Sequence, residues 1–259
     1  MSITVDLVAD LGESFGSYTM GDDDALLDIV SSANIACGFH AGDPRVMDRT
    51  VGECARRGVG IGAHPSFPDL VGFGRRAMDL TPDEVRTDIL YQLGALSAFA
   101  RSHGRRVTHL CPHGRLGNLV ITRPDYAEAM VQAVAAFDPS IIMFTQPGAV
   151  EPFAQQHGLD IAMVGAVDRN YEDDGTLTPR SLPDAVLSDP DVIAERTVRM
   201  VLEGTIISRN GVELPAQTDT VLLHGDGPDA VALARRIRKE LEAAGVTIQP
   251  IHRSLGRAD

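Results

Sequence analysis

Short apolar runs alternate with helix-length amphipathic stretches from one end of the chain to the other. The runs at 3–9, 33–37, 59–63, 106–110, 140–144, 160–164 and 220–224 have the length and flanking residues of buried strands, and 246–250 reads as an eighth. The stretches between them carry helix punctuation. Asp43-Pro44 opens a helix with a capping carboxylate and a proline at the first helical position, and Gly58 closes it. Thr81-Pro82-Asp83-Glu84 spells a capping box. Asp189-Pro190 begins a helix that ends near Gly204, and Gly227-Pro228 begins another that stops at Gly245. Seven or eight βα units with no Pro/Ser-rich linker predict an α/β fold with a parallel sheet in one domain over residues 1–259. A closed, irregular, TIM-like (β/α) barrel accounts for the length better than a doubly wound sheet. The segments 64–80 and 165–188 are too long for simple turns, and long ordered loops in compact domains are usually functional.

Composition narrows the partners. The 259 residues carry 23 Lys plus Arg against 36 Asp plus Glu, a formal charge of −13. A field of that sign repels phosphate backbones and anionic lipid, so neither nucleic acid nor a membrane surface is expected as a partner. Lys239 is the single lysine, and every other basic residue is an arginine. The cysteines, Cys37, Cys54 and Cys111, form no CxxC pair. With no basic, apolar leader and no apolar run of about 18 residues, the chain reads as reduced, soluble and cytoplasmic.

In a parallel barrel, ligands bind where strands end and βα loops begin. The first strand here runs into Asp10 and Glu13, the second into Asn34 and His40, and the third into His64. The fourth leads to His109 and His113, the sixth to Asp168 and Arg169, and the seventh to His224 and Asp226. Convergence of His40, His64, His113 and His224 on one site is the favoured reading. His109 alternates with Val107 and Cys111 and reads as a hydrogen-bonded core histidine, while His103, His157 and His252 read as surface positions. Asp43 reads as an N-cap, and Asp226 is open between cap and site. Arg75 and Arg76 beside Gly72-Phe73-Gly74 offer forked cations for a phosphate or carboxylate, as do Arg169 and Arg180 around Tyr171; a solvated surface pair is the alternative for each. Cys54 reads as a helix-face residue, and Cys37 and Cys111 as small buried hydrophobes. No His-Glu-x-x-His is present, and Pro112 and Gly114 keep His109 and His113 off a helix. Ligands from separate strands can still hold a divalent ion, but the expectation adopted is a metal-free acid/base cluster.

The blocks Ala9-Asp10-Leu11-Gly12-Glu13, Met20-Gly21-Asp22-Asp23 and Ser32-Ala33-Asn34-Ile35-Ala36-Cys37-Gly38-Phe39-His40-Ala41-Gly42-Asp43 resemble the LamB/YcsF family. The resemblance continues through Gly62-Ala63-His64-Pro65-Ser66-Phe67-Pro68-Asp69, Gly72-Phe73-Gly74-Arg75-Arg76, Asp168-Arg169-Asn170-Tyr171, Asp174-Gly175, Pro179-Arg180-Ser181 and His224-Gly225-Asp226. It implies a barrel related to the polysaccharide-deacetylase-like fold. It also implies ATP-dependent opening of the lactam 5-oxoproline to L-glutamate, with this chain working beside B and C subunits of a 5-oxoprolinase. ATP, with its Mg2+ held here or by those partners, is the implied cosubstrate. A lactam is a poor electrophile, and phosphorylating its oxygen gives an imidate that water can attack. Such chemistry needs a base, a proton donor to nitrogen and cations for the anionic groups. Asp10, Glu13, His64 and His113 are the candidates for proton transfer. Asn34, His40, Arg75, Arg76, Asp168, Arg169, His224 and Asp226 are the candidates for substrate and phosphate binding.

The chain departs from the family pattern at one rim. Where the family reads Lys-Pro-His-Gly-Ala-Leu-Tyr-Asn, this chain has Cys111-Pro112-His113-Gly114-Arg115-Leu116-Gly117-Asn118. Val8 stands where the family has asparagine, on the same strand face as Asp10. Arg115 offers a cation from another backbone position. The alternatives are a relative acting on another lactam or cyclic amide, a non-catalytic protein with a binding or regulatory role, and a metal-dependent deacetylase-like hydrolase.

Overall fold

In strand β1 (Thr4–Leu11), Leu7, Ala9 and Leu11 pack outward into the layer shared with the helices, whereas Val8 joins an inner cluster with Cys111, Ile142, Phe144 and Leu222. Strand side chains alternate, so Asp6 and Asp10 share that inner face with Val8. The structure is a computed structural model that describes residues 3–227 and 229–256. Helix α1 (Asp23–Leu27) leads to β2 (Ser32–Ala36), α2 (Pro44–Arg57) to β3 (Gly60–His64), and α3 (Pro82–Ser102) to β4 (His109–Leu110). Then come α4 (Gly114–Thr122), α5 (Pro124–Phe137), β5 (Ile142–Thr145), α6 (Val150–His157) and β6 (Ile161–Ala166). Helix α7 (Pro190–Glu203) precedes a small antiparallel hairpin of β7 (Thr205–Ile207) and β8 (Glu213–Pro215). Strand β9 (Thr220–Leu223), α8 (Ala230–Ala243), β10 (Thr247–Ile248) and α9 (Ile251–Ser254) complete the chain.

Strands β1 to β6 and β9 pair in parallel, and β9 returns to β1 to close the ring, with β10 added outside β1. The expected closed (β/α) barrel is therefore what forms. The capping predictions hold: Asp43 accepts from the backbone of Arg45 and Val46, Thr81 and Glu84 make a reciprocal capping box, and Asp189 caps α7. Pro228, expected to open the last long helix, lies outside the described residues. The β7–β8 hairpin escapes the pattern of apolar runs, because its strands are only three residues long.

Strand register builds ranks of inward side chains. Asp10 aligns with Asn34, Asn34 with Gly62, Gly62 with His109, and His109 with Ile142. Gly62 is the gap in that rank. A Cβ there would lie 2.0 Å from His109 Nε2, so glycine is what admits the imidazole to the barrel interior. His109 fills the gap, stacks on Phe144 and bonds Asn34 Oδ1 at 3.1 Å. It is a satisfied core histidine, as expected.

At the N-terminal end, α9 plugs the barrel. Ile251 enters the inner cluster and its backbone N–H donates to Asp6 at 2.9 Å. This corrects one expectation: His252, read as a surface position, is fully buried because the terminal helix folds under the strands. Cys37, Cys54 and Cys111 are all buried and free. Among the described residues no helix is long and apolar enough to cross a membrane.

Candidate active site

The parallel strands deliver their polar C-terminal residues to one rim, where a cavity of about 390 Å³ opens. Asp10, His64, Cys111, His113 and His224 line it, together with Arg75, Arg115, Arg169 and Arg180. Behind His64 and His113 lie Glu13 and His40. One ligand atom from each of Glu13, His40, His64 and His113 falls within 4.8 Å of the others, and all of these residues are buried.

Backbone carbonyls set the tautomers. His64 Nδ1–H donates to the Cys111 carbonyl at 2.6 Å, which turns Nε2 toward His113 Nδ1 at 2.9 Å and Asp10 Oδ1 at 3.3 Å. His113 Nε2–H donates to the Phe73 carbonyl at 2.9 Å. The ring of His40 stacks on that of His113 with centroids 3.9 Å apart. Glu13 Oε1 lies 3.4 Å from His40 Nε2 and 3.5 Å from His113 Nδ1.

Charge in this cluster is unevenly divided. Burial works against the Asp10 carboxylate, but the field and hydrogen bond of His64 outweigh it and hold the group well below the usual carboxylate range. Asn34 Nδ2–H adds a donor to Asp10 at 2.9 Å. Glu13 is driven the other way, by burial and then by the charge of Asp10. Burial also lowers His64, yet Asp10 beside it raises the imidazole overall. Burial dominates at His40 and His113 and pushes both well down, with neighbouring imidazoles adding to it. The arrangement is an ionised Asp10 against a cationic-leaning His64, with neutral His113, His40 and Glu13 behind.

Two loops cover the rim. The first, residues 65–81, is pinned at its start by Gln92 of α3, whose amide both accepts from Ser66 N and donates to Ser66 O at 2.9 Å. Its turn places Phe73 at φ 54°, an uncommon conformation for a non-glycine residue, and that conformation presents the carbonyl held by His113. Gly74 follows at φ +63°, where a Cβ would meet Ser66 Oγ at 2.2 Å and His113 at 3.0 Å. Arg75 lies over the Phe73 ring and bonds Asp226 at 2.7 Å.

The second loop, residues 167–189, folds around Arg169. That guanidinium is buried and donates to the carbonyls of Ala185 at 3.1 Å and Thr178 at 2.6 Å. Burial, with Arg180 nearby, pushes it down to about 10. Arg180 donates to His224 Nε2 at 2.9 Å, and His224 Nδ1–H donates to Asp168 at 2.8 Å. Asp168 is buried, which raises it, but His224 beside it lowers it overall.

The structure thus gathers Asp10, Glu13, His40, His64 and His113 into one cluster, with Asn34 braced behind Asp10. Arg75, Arg169 and His224 line the cavity, and Asp168 and Asp226 hold His224 and Arg75. Arg76 does not join them. Its guanidinium turns away onto the buried carboxylate of Asp69 and is largely exposed, because consecutive residues of this turn point to opposite sides. Asp226 is a partner of Arg75 rather than a cap. Sequence reasoning misses Thr145 and Gln146, which line the cavity where β5 ends. The same strand-end rule, applied to the fifth strand, finds them.

The LamB/YcsF family model matches residues 5–256. The chain is 51% identical over 249 residues to a protein of Methylococcus capsulatus that is named as the A component of 5-oxoprolinase, covering 96% of each. It superposes with a TM-score of 0.90 on the crystal structure of a lactam utilization protein from Thermus thermophilus, at 43% identity, covering 95% of this chain and 99% of that one. A peptidoglycan N-acetylglucosamine deacetylase domain from Eubacterium rectale shares the fold alone, at TM-score 0.52 and 16% identity over 96% of this chain and 89% of that domain. With the barrel, its rim cluster and these matches in hand, the chain belongs to the LamB/YcsF family.

Proposed function

We propose that this chain opens the lactam ring of 5-oxoproline to L-glutamate in an ATP-dependent reaction, as the A-type member of a complex with B- and C-type partners. One observation carries this above others: a small cavity is lined by the buried carboxylate of Asp10, held ionised by the imidazole of His64, and by the guanidinium groups of Arg75, Arg115, Arg169 and Arg180. The names carried by its close relatives support the same chemistry. ATP, when bound, supplies the phosphoryl group that activates the amide oxygen.

The remaining work falls to the chain. Asp10, ionised and facing the cavity, orients the attacking water and makes the imidazole of His64 more basic, so that the proton of that water passes to the Asp10–His64 pair. The pair of His64 and His113 beside it relays a proton to the ring nitrogen as the C–N bond breaks, which leaves the phosphoryl group on the new side-chain carboxyl as an acyl phosphate. A second water cleaves it to glutamate and inorganic phosphate. Arg75 and Arg180 orient the substrate carboxylate and the transferred phosphoryl oxygens, since guanidinium forks pair with both. Arg169 spends its N–H groups on loop carbonyls and shapes the cavity instead.

Purified chain reconstituted with its cognate B and C partners should release glutamate from 5-oxoproline only when ATP is present. An assembled complex that releases none overturns the reading. Cys111 puts a neutral thiol on the cavity wall where the family pattern has lysine, and that favours a second reading, another cyclic amide as substrate. Turnover of an uncharged lactam in preference to 5-oxoproline would select it.

A further inference from the structure

The rim cluster holds polar atoms that proton transfer alone does not explain. Among the described residues, Glu13 Oε1 and both ring nitrogens of His40 are buried without a hydrogen-bond partner. An unmet buried polar atom forfeits its hydration with nothing in return, so several together need a compensating ligand. His64 and His113 add to the pattern. Each spends its outer N–H on a backbone carbonyl, Cys111 for one and Phe73 for the other, and each aims its remaining nitrogen inward. That is the device by which metal-ligating histidines are oriented and their tautomers fixed.

The inward atoms have matching separations. His64 Nε2 and His113 Nδ1 are 2.9 Å apart, His113 Nδ1 and Glu13 Oε1 3.5 Å, and Glu13 Oε1 and His40 Nε2 3.4 Å. An ion bound at about 2.0–2.2 Å from N and O ligands puts neighbouring ligands roughly 3 to 3.5 Å apart. Three imidazoles with one carboxylate suit a first-row transition ion and disfavour Mg2+ or Ca2+, which prefer oxygen. We propose that Glu13, His40, His64 and His113 form a binding site for one divalent transition-metal ion of the Zn2+, Co2+ or Mn2+ type.

The end of β3 and the segments following β1, β2 and β4 supply these ligands one at a time, which is why no local spacing motif announces them. A held ion refines the division of labour given above. With an ion bound, neither His64 nor His113 has a free ring nitrogen, so the proton relay belongs to the ion-free chain. Asp10, outside the ligand set, is then the cavity-wall group left to accept a proton. The metal site rests on the ligand atoms and not on the lactam reaction, and its test uses no substrate, so either can fail alone.

The test is titration of the chelator-treated full chain with Co2+, read by its d–d absorption and by metal content after desalting, followed by competition with Zn2+. One equivalent should bind, and Glu13→Gln and His113→Ala should each weaken it by about 100-fold or more, 100-fold being the upper end of what loss of an outer partner of a metal ligand costs. Glu13→Gln is nearly isosteric and keeps the test valid if His113→Ala fails to fold, as checked by circular dichroism. His103→Gln, at an exposed histidine paired with Asp48, should bind like the parent. No saturable binding up to millimolar metal overturns the site, as does equal binding by parent and Glu13→Gln. A thiolate charge-transfer band that disappears in Cys111→Ser overturns the ligand set.

Discussion

Asp6 and Asp10 lie on the same strand, on the same inner face, one turn of the pleat from Val8 in either direction, and both are buried. Their chemistry is opposite. Asp6, at the plugged end, accepts from Ser31 Oγ at 2.6 Å, Ser32 Oγ at 2.7 Å and Ile251 N at 2.9 Å, yet burial pushes it up to about 6. Asp10, at the open rim, has an imidazole beside it and stays ionised far more readily. Neutral donors do not offset the loss of water around a carboxylate, whereas a partner able to carry charge does. One end of the barrel is thereby a structural plug and the other a place for chemistry, although sequence alternation treats the two aspartates alike.

The largest effect is expected at Asp10. Asp10→Asn keeps the shape and removes the charge, and glutamate release by the reconstituted complex should fall about 10³-fold with little change in the unfolding midpoint. Activity within tenfold of the parent would return Asp10 to a structural role. At the other end, Asp6→Asn should leave turnover intact and change the pH dependence of stability. Asp6 holds its proton more tightly folded than unfolded, with an ordinary value of 3.8 rising to about 6. Its contribution is therefore complete below about pH 4 and is lost as pH rises through 6, a swing of about 3 kcal/mol. Chemical denaturation between pH 4 and 7 should show that decline in the parent and a flatter profile in Asp6→Asn; parallel profiles would contradict the assignment.

Smaller effects test what links the two ends. Asn34 bonds both Asp10 and His109, so it passes the orientation of the core histidine to the rim. Asn34→Ala should lower kcat about tenfold with KM nearly constant, and should move the acidic limb of the pH–rate profile. A rise in KM alone would show that Asn34 binds rather than positions. The smallest change is expected for Asp226→Asn. Its pair with Arg75 is partly exposed, so stability should shift by about 0.5 kcal/mol or less, with KM rising about twofold as Arg75 loses its tether.

Much of this was legible in the chain itself. The strands announced themselves as apolar runs, and Asp43, Thr81 and Asp189 marked helix starts because capping is local chemistry. The rim residues followed from strand ends. What stayed hidden depended on contacts between distant segments. His252 reads as exposed until α9 folds beneath the barrel, and the opposite aims of Arg75 and Arg76 depend on the backbone of one turn. Strand ends put Glu13 and His40 on one rim, but their approach to 3.4 Å depends on the loops that follow β1 and β2, and Gly62 revealed its purpose only beside His109.

The turn at Phe73 carries a consequence of its own. One short stretch of chain supplies both the Phe73 carbonyl that fixes which nitrogen of His113 bears hydrogen and the Arg75 guanidinium that lines the cavity. The tautomer of His113 and the position of a cavity-lining cation are thus set by the same few peptide units, so a change in the backbone of this turn alters both together.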